Sequence, residues 1–290
     1  MDGCGLTGKI LPNFLFRYRS DVTPHVWDEL ERVIASREFY FASAERLNDP
    51  FEIRPTISKP SVEAFLEIIT KKYGKNPLVS RDTFEKALGE KPSRQVHRRR
   101  AKDLAPSLET AELKLGIMER TFSNMNKRTR IVCFNETPSS LPMWAHYANN
   151  HQGICLRFEL NIADHVPGEK VPVQVSYSNE RPVLDISDFE SSGFGDQDIA
   201  SDAAMKFATS LYSTKATDWS YEKEWRVFDS SGAEPDYSRI SCIKPNSIIL
   251  GINAQQEFRE KVIRGFGNKI RLFEAKLVDK SYNLEFHPIN

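Results

Sequence analysis

Trp219-Ser220-Tyr221-Glu222-Lys223-Glu224-Trp225-Arg226-Val227-Phe228 is an aromatic run that favours a strand and carries charged residues at alternate positions. Because successive side chains of a strand point to opposite faces, Glu222, Glu224 and Arg226 are predicted to share one face. Trp225 is then expected to pack on the other face. Two carboxylates one pleat repeat apart repel each other unless solvent or a partner compensates them. Two interpretations stay open: an exposed face on which Arg226 neutralises a glutamate, and a functional site.

The hydrophobic pattern predicts helices that alternate with strands along the chain. Thr23 before Pro24 is typical of a helix N-cap followed by a proline at the first helical position. Predicted helices cover about 23–37, 61–74, 108–125, 143–148, 201–213 and 254–265, and predicted strands cover 14–19, 39–43, 130–134, 154–159, 171–177, 219–228, 247–251, 269–277 and 283–288. We therefore expect a single α+β domain over 1–290, with a mixed, mainly antiparallel sheet and a helical insertion at about 60–127.

Composition limits the function classes. The chain has 290 residues, with 40 basic and 40 acidic side chains, so no net charge draws it to nucleic acid or to a membrane. The 4 cysteines are scattered, which argues against a disulfide framework and a zinc site. No apolar run approaches the roughly 20 residues of a membrane span, and the N-terminus lacks a signal-peptide pattern. The composition predicts a cytoplasmic protein with no membrane partner and no metal.

Other groups of residues have both a structural and a functional interpretation. Trp144 and Tyr147, three residues apart, are typical of core packing but also suit a stacking platform. Asn48 and Asp49 begin an Asn-Asp-Pro-Phe-Glu corner that predicts a turn, and its carboxylate side chains are also candidates for a site. The basic residues at 94–102, among them Arg98 and Arg99, suit either a solvated helix face or contacts to the phosphates of a nucleic acid.

Several motifs together resemble a bacterial family known as domain of unknown function 2971. The resemblance extends over about residues 14–275, and its most specific elements are Asn-Asp-Pro-Phe, Met-Trp-x-x-Tyr and Tyr-Glu-x-Glu-Trp-Arg, here at 48–51, 143–147 and 221–226. That family is in turn distantly similar to ADP-ribosyltransferases, whose signature is an Arg or His on a first strand, a Ser or Thr on a second, and a Glu-x-Glu on a later strand. The resemblance implies a split-sheet fold and NAD as the substrate.

The resemblance also implies roles for particular residues. Cleavage of the nicotinamide glycosidic bond develops positive charge on the ribose, and a carboxylate stabilises that charge. Glu224 takes this role by the motif, and Glu222 orients or deprotonates the acceptor. Arg17 or Arg19 pairs with the NAD pyrophosphate or ribose. Tyr18 and Ser43 are further NAD-binding candidates, as are Trp144 and Tyr147 by stacking on nicotinamide. Substrate contacts are assigned to Arg226, Asn48, Asp49, Arg98 and Arg99. The second strand has Phe41-Ala42-Ser43-Ala44 without a full Ser-Thr-Ser run, and two arginines compete for the first-strand role.

Three functional hypotheses follow. The first is an NAD-dependent ADP-ribosyltransferase-like enzyme, in the manner of a toxin or phage-defence effector, with a nucleic acid or a protein as acceptor and an antitoxin as partner. The second is a metal-dependent or metal-independent nuclease that uses Glu222, Glu224, Arg226 and a histidine, with the basic residues at 94–102 to hold the nucleic acid. The third is a non-catalytic interaction module in which the charged row is structural. The sequence does not distinguish oligomeric states. For the enzyme, we expect Arg17 or Arg19, Ser43 and Glu224 to meet in one cleft.

Overall fold

The computed structural model describes residues 11–22, 25–58, 116, 119–120, 122–167, 169–185, 208–229 and 237–289. Its helices are α1 (Val26–Ser36), α2 (Leu141–Tyr147) and α3 (Gln256–Phe266), with 3₁₀ helices at Ala44–Arg46, Ile162–Asp164 and Thr217–Glu222. Its strands are β1 (Phe14–Arg19), β2 (Glu38–Tyr40), β3 (Ala42–Ser43), β4 (Thr56–Ser58), β5 (Arg130–Asn135), β6 (Ile154–Leu160), β7 (Val173–Gln174), β8 (Ser176–Ser178), β9 (Val183–Asp185), β10 (Thr214–Ala216), β11 (Glu224–Asp229), β12 (Tyr237–Arg239), β13 (Ile243–Leu250), β14 (Arg271–Leu277) and β15 (Leu284–Pro288). Residues 122–128 and 208–212 are also helical.

A large mixed sheet organises the fold. Among the described residues it has nine strands in the order β15-β14-β13-β6-β1-β5-β11-β7, with β3 also paired to β5. Strands β13 and β14 pair in parallel, whereas β1, β5, β6 and β11 pair antiparallel with their neighbours. The predicted α+β class with a mainly antiparallel sheet is therefore confirmed. The split-sheet arrangement of ADP-ribosyltransferases stays a prediction.

The chain divides into two compact units, and the large sheet lies in the first. That unit comprises Met1–Leu47, Thr129–Tyr177 and Lys215–Asn290. The second unit comprises Asn48–Arg128 and Ser178–Thr214. Its described part contains the parallel pair β4 and β9, and a hydrogen bond of 3.0 Å in which the Tyr212 hydroxyl donates to Asn126 Oδ1. The single-domain organisation, and the helical insertion at about 60–127, stay predictions, because residues 59–115 lie outside the described part.

Each face of the large sheet packs against different helices, as the alternation of side chains requires. One face, called the α1/α3 face, buries Leu15, Phe134, Leu156 and Trp225 with the apolar sides of α1 and α3. The opposite face, called the α2 face, buries Phe16, Tyr18, Cys155 and Ile249 together with Met143 and Trp144 of α2. Burial of each such large apolar side chain contributes about 1.5–3 kcal/mol to stability.

Local chemistry shifts several element boundaries from their predicted positions. Helix α1 begins at Val26 with His25 as its N-cap, while Thr23 and Pro24 lie outside the described residues. The expected strand 39–43 is divided, because β2 pairs with β12 and β3 pairs with β5. The Trp219–Phe228 run is also divided. Its first part belongs to the 3₁₀ helix that ends at Glu222; Lys223 follows with φ 45°, and the strand begins only at Glu224.

Three residues after α2 form a tight corner against the end of β13. Asn149, Asn150 and His151 all have positive φ, and the carbonyl of His151 accepts from the Asn253 amide at 3.0 Å. Gly251 fits beneath this corner, since a Cβ at that position would collide with the His151 carbonyl. The corner thus fixes where α2 sits on the sheet.

This close approach predicts opposite effects for two glycine-to-alanine changes. Gly251→Ala should destabilise the protein, because the new methyl group meets backbone atoms that have no rotamer to change. Gly265→Ala should raise the free energy of unfolding by roughly 0.5–1 kcal/mol, because Gly265 is an exposed position of helix α3 and open space surrounds the place of the new Cβ. Urea unfolding measures both, and equal stabilities for the two variants would contradict the described corner.

Candidate functional site

The carboxylate and guanidinium of β11 bind each other inside the protein. Arg226 Nε and Nη2 each donate at 2.8 Å to a carboxylate oxygen of Glu224. The two residues occupy alternate positions of one strand, so their side chains emerge on the same face, as predicted. Arg226 is 0% exposed and Glu224 is 2% exposed. The exposed-face interpretation is therefore wrong, because this ion pair is shielded from water.

Lys215 of β10 joins the pair to a second glutamate. Its Nζ donates to Glu222 Oε2 at 2.6 Å and to Glu224 Oε2 at 3.1 Å. The side chain of Lys215 is 3% exposed. Lys215, Glu222, Glu224 and Arg226 are called the ion cluster below. Two positive and two negative groups make the ion cluster formally neutral, as burial of charged groups requires.

Glu222 reaches the ion cluster from outside the strand. It is the last residue of the Thr217–Glu222 helix, and the left-handed Lys223 turns the chain between it and β11. Asn135 of β5 fixes this turn, since its side-chain amide donates to the Glu222 carbonyl at 2.9 Å. The Tyr147 hydroxyl of α2 donates to Glu222 Oε1 at 2.7 Å. The prediction that Glu222 shares a strand face with Glu224 is wrong in detail, although their carboxylates converge on one lysine.

The two glutamates of the ion cluster have opposite electrostatic environments. Burial, and next the charge of Glu224, raise the pKa of Glu222 above its usual value, against the opposing effect of Lys215. For Glu224, burial also favours the neutral form, but Arg226 and Lys215 outweigh it and lower the pKa to about 2. Glu224 thus remains ionised at neutral pH, and Glu222 is the carboxylate that takes up a proton more readily.

Aromatic residues surround the Glu222 end of the ion cluster. Tyr221 contacts the ring of Trp219 at a centroid distance of 6.1 Å and that of His146 at 6.2 Å. His146 Nδ1 lies 3.1 Å from the Tyr221 hydroxyl, and its ring meets that of Tyr147 at 6.4 Å. Trp219 also lies 5.0 Å from Lys215 Nζ. These four side chains, His146, Tyr147, Trp219 and Tyr221, are called the aromatic collar below. None of them is fully buried, so the collar presents ring surface next to a titratable carboxylate.

The arginines of β1 do not join this site. Phe16 pairs with Asn135, which pairs with Glu224, so these three residues lie on the α2 face. Arg17 and Arg19 alternate with Phe16 and point to the α1/α3 face. There both approach Glu29 of α1, with Nη1 of Arg17 at 3.0 Å and Nη2 of Arg19 at 2.9 Å. The predicted cleft shared by these arginines and Glu224 is therefore wrong.

The structure shows other surroundings for Ser43, Tyr18 and Trp144. Ser43 pairs with Arg130, on the face opposite to Asn135, and its hydroxyl accepts from the Glu45 amide at 3.3 Å. Tyr18 and Trp144 are buried in the core and pack edge to face at 5.2 Å. Asn48 and Asp49 belong to the second unit, where Asp49 Oδ1 accepts from the Phe51 amide at 2.8 Å, as the predicted turn requires. Arg98 and Arg99 lie outside the described residues.

Sequence reasoning missed the lysine that holds the site together. Lys215 follows a helical segment and has no partner at a diagnostic spacing, so nothing in the local pattern separates it from a surface lysine. Tyr177 was missed too: its hydroxyl accepts from the Glu224 amide at 2.8 Å, and burial is the main cause that raises its pKa to about 12. Only the alternation of apolar and polar residues at 171–177 predicted a strand nearby.

One comparison with known proteins covers the segment that contains this site. Residues 143–227 match the family described as Protein of unknown function (DUF2971). That segment contains the whole ion cluster and the aromatic collar. No curated protein and no solved structure matches the chain. The family resemblance is thus supported for this segment, and it brings no activity with it.

The described part of the chain contains neither a cluster of metal-ligand side chains nor a membrane-spanning helix. In these ranges no three His, Cys, Asp or Glu side chains are grouped to hold a metal ion. Across the same residues, no helix has the length and apolar character needed to cross a bilayer. Cys155 is a buried free thiol.

Removal of the bridging lysine should unbalance the ion cluster. In Lys215→Met two buried carboxylates share one guanidinium, and we expect a loss of about 3–5 kcal/mol in the free energy of unfolding. The pKa of Glu222 should rise further, so the loss should be larger at pH 8 than at pH 5. Urea unfolding at both pH values measures it. The double variant Lys215→Met/Glu222→Gln restores neutrality and should recover part of the loss, whereas an additive double variant would contradict the bridge.

Glu224 should control stability in acid. Its folded-state pKa of about 2 lies below the usual 4.5, so its contribution is present above pH 4.5 and is lost as the pH falls towards 2. The stability difference between the wild type and Glu224→Gln should therefore shrink between these pH values. Unfolding free energies measured from pH 6 to pH 2.5 test this, and a constant difference would show that Glu224 does not titrate with the fold.

Proposed function

We propose that the chain is a cytoplasmic, NAD-consuming, ADP-ribosyltransferase-like enzyme whose reactive carboxylate is Glu222. The observation that supports this most is the pair of opposite pKa shifts on two glutamates bridged by Lys215. Environments that separate the pKa values of neighbouring carboxyl groups are typical of acid–base sites in enzymes. The resemblance to a Glu-x-Glu signature supports the choice of NAD.

In this proposal the bond between ribose C1′ and the nicotinamide nitrogen breaks, and nicotinamide leaves as a neutral ring. The acceptor forms a new bond to C1′ and transfers its proton to the Glu222 carboxylate. Each oxygen of Glu222 has a second lone pair beyond the bonds to Tyr147 and Lys215, so a ribose or acceptor hydroxyl has an atom to bind. The developing positive charge on the ribose is stabilised by the same carboxylate.

The other residues of the site support Glu222 in this proposal. Glu224 is a positioning residue, since both of its oxygens bind Arg226 and one also binds Lys215. The aromatic collar offers a stacking surface for the nicotinamide ring. Arg17 and Arg19 take no part, because they point to the opposite face. The acceptor, a nucleic acid or a protein, and an antitoxin partner stay predictions.

The burial of the ion cluster favours a second candidate, a non-catalytic interaction module. Glu222 is 3% exposed and the Glu224–Arg226 pair is shielded completely. A neutral buried cluster also suits a purely structural role, which fixes the register of β11 and the position of α2. In that case the aromatic collar is a binding surface and no bond is cleaved.

A single comparison separates the two candidates. Purified protein incubated with NAD should release nicotinamide, which chromatography detects. Glu222→Gln should lower kcat/KM by about 100-fold or more, as expected for loss of an acid–base group. Glu257→Gln, an exposed glutamate of α3, is the matched control and should leave kcat/KM unchanged.

Unfolding curves of each variant establish that the loss does not arise from misfolding. Full NAD cleavage by a folded Glu222→Gln protein would overturn the assignment of Glu222. A folded wild type that neither cleaves NAD nor transfers ADP-ribose to protein or RNA would leave the interaction module as the function.

A further inference from the structure

A row of cross-strand partners extends from the ion cluster across the α2 face. Its members, taken in order over six neighbouring strands, are Glu224, Asn135, Phe16, Arg157, Ser247 and Arg271. At the far end of this row, Arg157 and Arg271 lie on either side of Ser247. Adjacent strands are about 4.8 Å apart, so the Cα atoms of Arg157 and Arg271 are separated by about 10 Å.

The charges of these two arginines are not compensated by an ion pair. Within the described residues, no carboxylate lies at ion-pair distance from Arg157 or Arg271. Arg271 Nη2 donates to the neutral Asn246 side chain at 2.9 Å. The guanidinium of Arg157 lies 3.7 Å above the ring of Phe14, which holds it in place without neutralising it. Glu159, exposed and two residues along β6, is the acidic group that acts on Arg157.

Within the part of the chain that the structure describes, two polar atoms at this position also have no hydrogen-bond partner. They are Arg157 Nε and Ser247 Oγ, both buried. Ser247 is only 1% exposed and occupies the position between the two arginines. Buried donors without partners are uncommon in native proteins, and each lost partner costs about 1–3 kcal/mol. An acceptor between the arginines would satisfy such donors.

Mutual repulsion adds to this cost. Burial, and next the charge of Arg271, lower the pKa of Arg157, and Glu159 offsets only part of the effect. Arrangements that keep like charges close and unpaired are stable when an ion of opposite charge binds between them. Paired guanidiniums fit the oxygens of a phosphate group, because their planar donors form parallel charge-assisted hydrogen bonds.

We propose that Arg157, Ser247 and Arg271 form a binding site for the phosphate group of a small ligand. The two arginines hold the phosphate oxygens from either side, and Ser247 supplies a further donor beneath them. Phe14 limits the orientations of Arg157 and thereby preorganises the site. This proposal does not depend on NAD cleavage or on Glu222.

Titration calorimetry with inorganic pyrophosphate tests the site on the full chain. Arg271→Met should weaken binding at least 10-fold, and because Arg271 is exposed, this variant should keep its fold. Arg157→Met should weaken binding similarly, with urea unfolding as the check on its stability. Arg264→Met, an exposed arginine of α3, removes the same charge elsewhere and should bind as the wild type does. Glu222→Gln should also bind pyrophosphate normally.

Parallel titrations with inorganic phosphate and with AMP identify the source of the group. Tighter binding of AMP, lost in Arg271→Met, assigns the site to a nucleotide, whereas equal binding of both assigns it to the phosphate alone. The proposal is overturned if the wild type binds none of these anions. It is overturned as well if Arg264→Met loses as much affinity as Arg271→Met, since binding would then reflect general charge.

Discussion

The buried pair of Arg226 and Glu224 constrains much of the sheet around it. A guanidinium that is 0% exposed requires a carboxylate with matching geometry, and the residue two positions earlier on the same strand supplies it. Lys215 brings a second positive charge, which Glu222 balances, and its Nζ also donates to Glu224. The hydrogen bond from the Tyr147 hydroxyl to Glu222 in turn holds α2 next to the ion cluster. Local charge balance thus links β10, β11 and α2 in a way that apolar packing alone would not.

The sequence predicted the class of fold and one half of the site. Alternation at Glu224 and Arg226 identified the shared face of β11, and helical spacing identified α1, α2 and α3 close to their observed bounds. These features depend on local periodicity, which a single sequence records directly. The left-handed Lys223, by contrast, breaks the strand inside a continuous aromatic run. The sequence does not predict this break, because lysine has no preference for positive φ.

Long-range features were beyond the reach of local patterns. Arg17 and Arg19 alternate along β1 and share one face, but the direction of that face depends on which neighbour pairs with Phe16. Lys215 joins the ion cluster through tertiary packing, and its sequence context is that of an ordinary lysine. Arg157, Ser247 and Arg271 come from three strands separated by many residues, so only the register of the sheet reveals them as neighbours. A site built from several strands is therefore recognisable only in the folded protein, whereas a site within one strand can be predicted from the sequence.

The position of Phe16 at the middle of the long row has a consequence for folding fidelity. A slip of β1 by one residue would exchange its two faces, which would move Phe16 towards α1 and bring Arg17 between Asn135 and Arg157. Glu29 would lose its guanidinium partners, and a third arginine would crowd the two that already repel each other. A shifted register would therefore be destabilised on both faces of the sheet. The alternation of charged and apolar residues in β1 thus favours a single pairing register with its neighbours.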